Sequence, residues 1–97
     1  MSFFENKEIK ERKKELGLEP NDPAAHFNLG AAYDKAGKLH DAIKEFEATI
    51  KIHPNSAEAH FNLGITLNEI GKIKNALDSY KRAIAILPDY VEAHNNL

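Results

Sequence analysis

The hexapeptide AHFNLG occupies Ala25 to Gly30 and recurs unchanged from Ala59 to Gly64. His26 returns as His60, and the same 34-residue offset relates Gly37-Lys38 to Gly71-Lys72, Ala42 to Ala76, Phe46 to Tyr80, Ile50 to Ile84 and Pro54 to Pro88. Residues 23–56 lie over 57–90 without a gap, and a third copy opens at Val91, continues EAHNNL and stops at Leu97. A register kept across so many positions is the mark of a repeat architecture.

Each copy reads as two helices. Asp22-Pro23 supplies an N-cap followed by proline at the first helical position, and Ser56 caps the equivalent start in the second copy. Gly37 and Gly71 are expected to end the first helices, because the left-handed residue that closes a helix costs least as glycine. The second helices are expected from about His40 to Ile52 and from about Lys74 to Leu87, closed by Pro54 and Pro88, which cannot continue the backbone ladder. Asp89-Tyr90-Val91-Glu92 reads as a capping box for a third start. No segment alternates with the period of a half-buried strand. The expected fold is all-α, with antiparallel helix-turn-helix units stacked as an α-solenoid.

The segment 1–22 differs from the rest. Ser2-Phe3-Phe4-Glu5 reads as a capping box and Gly17 as a stop, with Ile9 and Leu16 the strong apolar positions between them. That stripe is too narrow for a core helix. Residues 1–22 are therefore expected to form a charged capping helix and linker, lying on the first repeat through Phe3, Phe4, Ile9 and Leu16. The repeats occupy 23–97, divided as 23–56, 57–90 and a partial 91–97.

Composition narrows the function classes. The chain has 97 residues, 42% of them hydrophobic, and a net charge of −2. Such a balance lacks the basic patch of a nucleic-acid binder. It contains no cysteine, so neither a disulfide framework nor a thiolate metal site is available. No apolar run approaches the ~20 residues that span a bilayer, and the start, MSFFENKEIKERKK, lacks the apolar stretch of a signal peptide. A cytoplasmic location is expected on those grounds.

A helix pair of this pattern and this repeat length resembles the tetratricopeptide repeat family. Leu29, Gly30, Tyr33, Ala42, Phe46 and Pro54 match its pattern in the first copy, and Leu63, Gly64, Leu67, Ala76, Tyr80, Ala83 and Pro88 in the second. Thr49 stands where the family usually has alanine, Leu67 where it has tyrosine, and His26, His60 and His94 where it prefers tryptophan. AHFNLG and EAHNNL also look like the repeats of the O-linked N-acetylglucosamine transferase superhelix. The resemblance implies a module that binds a protein or peptide in a concave groove lined by the first helices.

At 100° per residue, His26, Leu29, Gly30 and Tyr33 share the face that must meet the second helix. Phe27, Asn28, Ala31, Asp34 and Lys35 fall on the opposite face, with Ala24. The second copy places Glu58, Phe61, Asn62, Ile65, Asn68 and Glu69 there, and the stub adds Glu92, Asn95 and Asn96. These are the candidate peptide-binding residues. Asn28, Asn62 and Asn96 form a ladder of amides, each able to donate to and accept from a peptide backbone whatever its sequence; the same residues could instead bond to neighbouring helices or water. Phe27, Phe61 and Ile65 could anchor a partner's side chains or pack between adjacent first helices. Asp34, Glu58, Glu69 and Glu92 against Lys35 give the face a net charge of −3, which suits a neutral or basic partner. The carboxylate clamp of chaperone-binding members needs basic residues where this chain has Phe27, Glu92 and Asn96, so that acidic motif is not expected to bind.

The histidines, one repeat apart on the core-facing side, are read as packing residues, because zinc ligands must converge on one point. No metal or cofactor is expected, and no catalysis, since neither a phosphate loop nor a nucleophile with its base can be argued. The rival expectation is a self-associating structural element or homo-oligomer. It rests on the incompletely covered Ile65, Ile73, Ile84 and Leu87 and on Pro20, which precedes Pro54 by the repeat offset and puts the N-terminal helix in register with the second half of a repeat. Head-to-tail stacking or exchange of terminal helices would complete such a core. A part of a larger repeat protein is a further alternative.

Overall fold

Asn6 begins the first helix: its side-chain oxygen accepts from the backbone N–H groups of Glu8 and Ile9 at 2.9 and 3.2 Å, satisfying two donors that the helix itself cannot pair. The computed structural model describes residues 6–96, the side chain of Val91 excepted. Six helices follow in order: α1 Lys7–Leu18, α2 Pro23–Lys35, α3 Leu39–Ile52, α4 Ala57–Glu69, α5 Ile73–Ile86 and α6 Val91–Asn95. No strand occurs among the described residues.

The helix boundaries follow local chemistry. Asp22 and Ser56 cap α2 and α4 through their side chains, accepting from Ala24 N at 3.0 Å and from Ala59 N at 3.2 Å. Gly37 and Gly71 take φ of 79° and 87°. This lets Lys38 N reach Tyr33 O at 2.8 Å and Lys72 N reach Leu67 O at 2.9 Å, the six-residue closure that ends a helix with a left-handed residue. The second helices start and, in the second copy, end one residue earlier than the sequence suggests. Gly17 is not a stop: it lies inside α1, which continues to Leu18. Nor does a capping box open α6, since Tyr90 is its N-cap and makes no side-chain cap bond. The box expected at residues 2–5 lies outside the described residues.

Packing runs along the chain, each helix against the next. The closest approaches are at two glycines. A Cβ built on Gly30 would lie 2.8 Å from the Phe46 ring, and one on Gly64 would lie 2.7 Å from the Tyr80 ring. In each pair the aromatic ring of the second helix occupies the volume that any side chain on the first would need. Ala42 and Ala76, both buried, line the same approach one turn earlier.

The helix α1 stands where a second helix would precede α2. Ile9, 1% exposed, and Leu16 pack with Leu29, Ala32 and Tyr33, and they occupy the repeat register of Ile43 and Ile50 in α3. Its other face departs from the repeat. Glu8, Arg12 and Glu15 hold the register of Ala42, Phe46 and Thr49. Arg12 pairs with Glu15 at 3.3 Å and with Glu11 at 3.7 Å, while Glu8 pairs with Lys35 at 3.3 Å. The described body measures 40 × 28 × 18 Å.

Candidate functional site

The glycine contacts at Gly30 and Gly64 turn one face of α2 and α4 onto α3 and α5, so the opposite face is left outward. On α2, Asn28, Ala31 and Lys35 are exposed and Asp34 is half-buried. On α4, Glu58, Asn68 and Glu69 lie at the exposed margin while Asn62 and Ile65 are half-buried. Glu92, Asn95 and Asn96 are exposed on α6. The two phenylalanines do not share this placement. Phe27 is half-buried with its ring 5.6 Å from that of Phe46. Phe61 is 8% exposed, its ring 5.9 Å from Tyr80 and 4.9 Å from Tyr90. The geometry therefore gives Phe61 to the core. Its ring partners are a second-helix residue and the Tyr90 that precedes α6.

The amide ladder is uneven. Asn28 and Asn62 make no side-chain hydrogen bond to any described residue, so their amides keep both donor and acceptor capacity. Asn96 instead donates to the carbonyl of Glu92, one turn back on its own helix, at 2.7 Å. Two rungs of the three are thus open.

Beside Asn28 lie two clefts related by the repeat. One, of about 290 Å³, is lined by Glu15, Glu19, Asp22, Ala24 and Asn28 among others. The second, of about 420 Å³, is lined by Phe27, Asn28, Thr49, His53, Ser56 and Glu58. Glu15, Glu19, Asp22 and Ala24 of the first are the repeat equivalents of Thr49, His53, Ser56 and Glu58 of the second. Asn28 borders both clefts.

Two carboxylates of this face, Asp34 and Glu69, lie close enough for the charge of one to act on the other. Thr66, fully buried, donates its hydroxyl to Asp34 Oδ1 at 3.3 Å and to Asn62 O at 3.0 Å, so α4 fixes a carboxylate carried by α2. Partial burial, and then the nearby Asp34 charge, raise the Glu69 carboxyl above its ordinary range. The Tyr90 hydroxyl is pushed up by burial and then by Glu58 and Glu92, which places both of those carboxylates around it. Lys35, the cation of this face, is turned to Glu8 of α1.

A pH effect follows from Glu69. A carboxyl raised on folding binds its proton more tightly in the native state, so the stability it contributes is present below the unfolded pKa and is lost as pH rises through the folded value. Glu69→Gln should therefore melt slightly higher than the parent at about pH 7, with the difference closing towards about pH 4. Thermal melts across that range check the sign; a gap that widens on acidification would contradict it.

The histidines repeat one bond that pattern reading missed. Nε2 of His26, His60 and His94 donates to the carbonyls of Pro20, Pro54 and Pro88 at 2.8, 2.9 and 2.9 Å; a carbonyl can only accept, so the proton is on Nε2. Each bond ties the start of a first helix to the loop before it. His26 Nδ1 also meets Glu45 Oε1 on α3 at 2.8 Å. The sequence carried a signal for this, since a proline precedes each of these histidines at the same spacing. Nothing in the sequence pattern marked the Thr66–Asp34 bond or the Lys35–Glu8 pair, which join residues of different helices.

Residues 27–91 match the family model described as tetratricopeptide repeat. No curated protein matches the sequence. Among solved structures, the chain is similar to MamA, with a TM-score of 0.87 and 25% identity, over 91% of this chain and 52% of that one. It is likewise similar to YrrB, described as a TPR protein with an unusual peptide-binding site, with a TM-score of 0.87 and 29% identity, over 90% of this chain and 45% of that one. A mutant O-GlcNAc transferase of Thermobaculum terrenum matches with a TM-score of 0.87 and 26% identity, over 92% of this chain and 17% of that one. The chain thus spans about half, or less, of the length of these proteins.

Proposed function

We propose that this chain, which belongs to the tetratricopeptide repeat family, is a protein-interaction module that holds a segment of a partner polypeptide along the outward face of its first helices. The observation that carries this reading is the pair of unspent amides, Asn28 and Asn62, at one register position of successive repeats. Amides spaced in this way can grip a backbone without regard to side chains, while the clefts beside Asn28 take side chains of limited size. The similarity to YrrB, whose description names a peptide-binding site, supports the same use here. Of the candidate contact residues, Asn28, Asn62 and Ile65 form the centre of the proposed site. Ala31, Asp34, Lys35, Asn68 and Glu69 lie towards one end of the first helices, and Glu58, Glu92, Asn95 and Asn96 complete the surface. Phe27 forms a wall of the larger cleft.

The carboxylates of this face, Asp34, Glu58, Glu69 and Glu92, favour a neutral or basic segment. Burial and then the Asp34 charge raise the Glu69 carboxyl; a cationic side chain brought beside them favours its ionised form, so binding and ionisation of Glu69 assist each other.

Asn62→Ala tests the reading. Truncation should weaken binding of a captured or selected peptide by about 1–3 kcal/mol where the amide bonds are desolvated and leave the melting temperature close to that of the parent, because the side chain has no intramolecular partner to lose. Calorimetric titration beside a thermal melt measures both. Unchanged affinity with a lowered melt would make Asn62 a structural residue and remove the proposal.

A further inference from the structure

Lys7, Lys10 and Lys14 of α1 fall within about 60° of one another at 100° per residue, while Ile9 and Leu16 hold the helix to the body from another side. With Glu11 and Lys13 they line an open cleft of about 700 Å³. No described carboxylate pairs with Lys7, Lys10 or Lys14; Glu11 and Glu15 lie against Arg12, at 3.7 and 3.3 Å. The array occurs once. Its repeat equivalents are Asp41, Lys44 and Ala48 in α3 and Asn75, Asp78 and Arg82 in α5, so neither of those helices offers three cations in this arrangement. The net charge of −2 conceals a wider separation. The helices α1, α3 and α5 expose nine cations against five carboxylates, whereas α2, α4 and α6 expose Lys35 against Glu58, Glu69 and Glu92.

We propose that the lysine-lined cleft of α1 binds an acidic segment of a partner polypeptide, on a surface separate from the first-helix face. Lys7 to Lys14 rises about 10 Å along the helix at about 1.5 Å per residue. That is the length of about three extended residues at about 3.3 Å each. A few neighbouring carboxylates can therefore reach all three ammonium groups, each of which ends a flexible stem. The lining also decides the class of partner. Among the described residues it has no aromatic ring on which a nucleic-acid base could stack, and no large apolar side chain to enter a bilayer. On the neighbouring second helices the register of Lys7 is held by Asp41 and that of Lys10 by Asp78. A continuous polyanion laid across the three helices would meet these like charges, which is unfavourable. A short acidic segment stays within the array of cations on α1.

Fluorescence anisotropy with a labelled octaglutamate peptide, on the whole chain, tests the proposal. The parent should bind at low salt, and its affinity should fall by about tenfold or more on going to about 0.5 M salt, because exposed charge pairs are screened. Lys10→Glu with Lys14→Glu should weaken binding at low salt by about tenfold or more, since it sets like charges against the peptide. Its thermal melt should match that of the parent, because both lysines are exposed and neither has a described carboxylate partner to lose. Lys38→Glu with Lys72→Glu changes the net charge equally, at the starts of α3 and α5, and should keep the affinity within about twofold of the parent. A parent that fails to bind at low salt overturns the proposal. Equal losses in the two double variants do so as well, since the binding would then follow overall charge and not the cleft. Tighter binding to a DNA duplex of random sequence, or to vesicles of equal phosphatidylcholine and phosphatidylserine, would overturn the assignment to an acidic polypeptide and favour a phosphate-bearing partner. Asn62→Ala should leave octaglutamate binding unchanged, so failure of the groove reading and failure of this one are read separately.

Discussion

Gly64→Val is expected to lower the melting temperature sharply. The first carbon of any side chain at this position would lie 2.7 and 2.8 Å from two atoms of the Tyr80 ring and 3.2 Å from the Ala76 carbonyl oxygen. Tyr80 is 3% exposed and packed against Phe61, so the ring cannot swing into solvent to make room. Overpacking of this kind costs about 1–3 kcal/mol or more. Replacing a helical glycine returns at most about 1 kcal/mol of propensity, and a β-branched residue returns less because its χ1 is restricted in a helix. The repulsive contact wins. In a domain of this size each kcal/mol moves the midpoint by about 4–8 °C, so a calorimetric scan resolves the effect easily. A midpoint at or above that of the parent would show that α4 and α5 do not approach at Gly64.

Phe46→Ala should be the most damaging single truncation in the first repeat. Phe46 is 1% exposed, the largest of the fully buried side chains, and its ring fills the notch left by Gly30 while meeting Phe27. Removing a buried phenylalanine costs about 3–5 kcal/mol, a large part of the ~5–15 kcal/mol that holds a typical domain. The geometry adds a coupling. Gly30→Ala should destabilise the parent, because its Cβ would sit 2.8 Å from the ring. It should be neutral or stabilising in the Phe46→Ala background, where that ring is gone. Urea unfolding of the two single variants and the double variant measures the difference; strictly additive free energies would mean that the two residues do not share the notch.

The repeat, the helix pairs and their order were legible in the sequence because their causes are local or periodic. The recurrence of AHFNLG is visible by inspection, and the caps at Asp22 and Ser56 and the left-handed glycines at 37 and 71 depend on residues within a turn or two of each other. The outward face of the first helices was legible too, since a helix with one side committed to its neighbour must show the other. Failures came where a local motif was weak or lost to another choice. Gly17 remains helical, for its position in the chain does not oblige a left-handed turn, and α6 starts at Tyr90 without the side-chain bond that Asp89 was expected to make.

What the tertiary structure alone decided is which members of the face are free. Phe61 and Ile65 are both apolar residues of the same helix face, yet Phe61 is covered by Tyr80 and Tyr90 while Ile65 is half-open. Asn28, Asn62 and Asn96 are one residue type at one repeat position, yet Asn96 spends its amide on Glu92 and the others do not. Thr66 of α4 fixes Asp34 of α2, and Glu8 of the first helix takes the cation that Lys35 would otherwise lend to the face. Each of these depends on distances between helices, and periodicity carries no such information: it assigns a residue to a side of its own helix, whereas exposure and hydrogen bonding are settled by what the neighbouring helix places there.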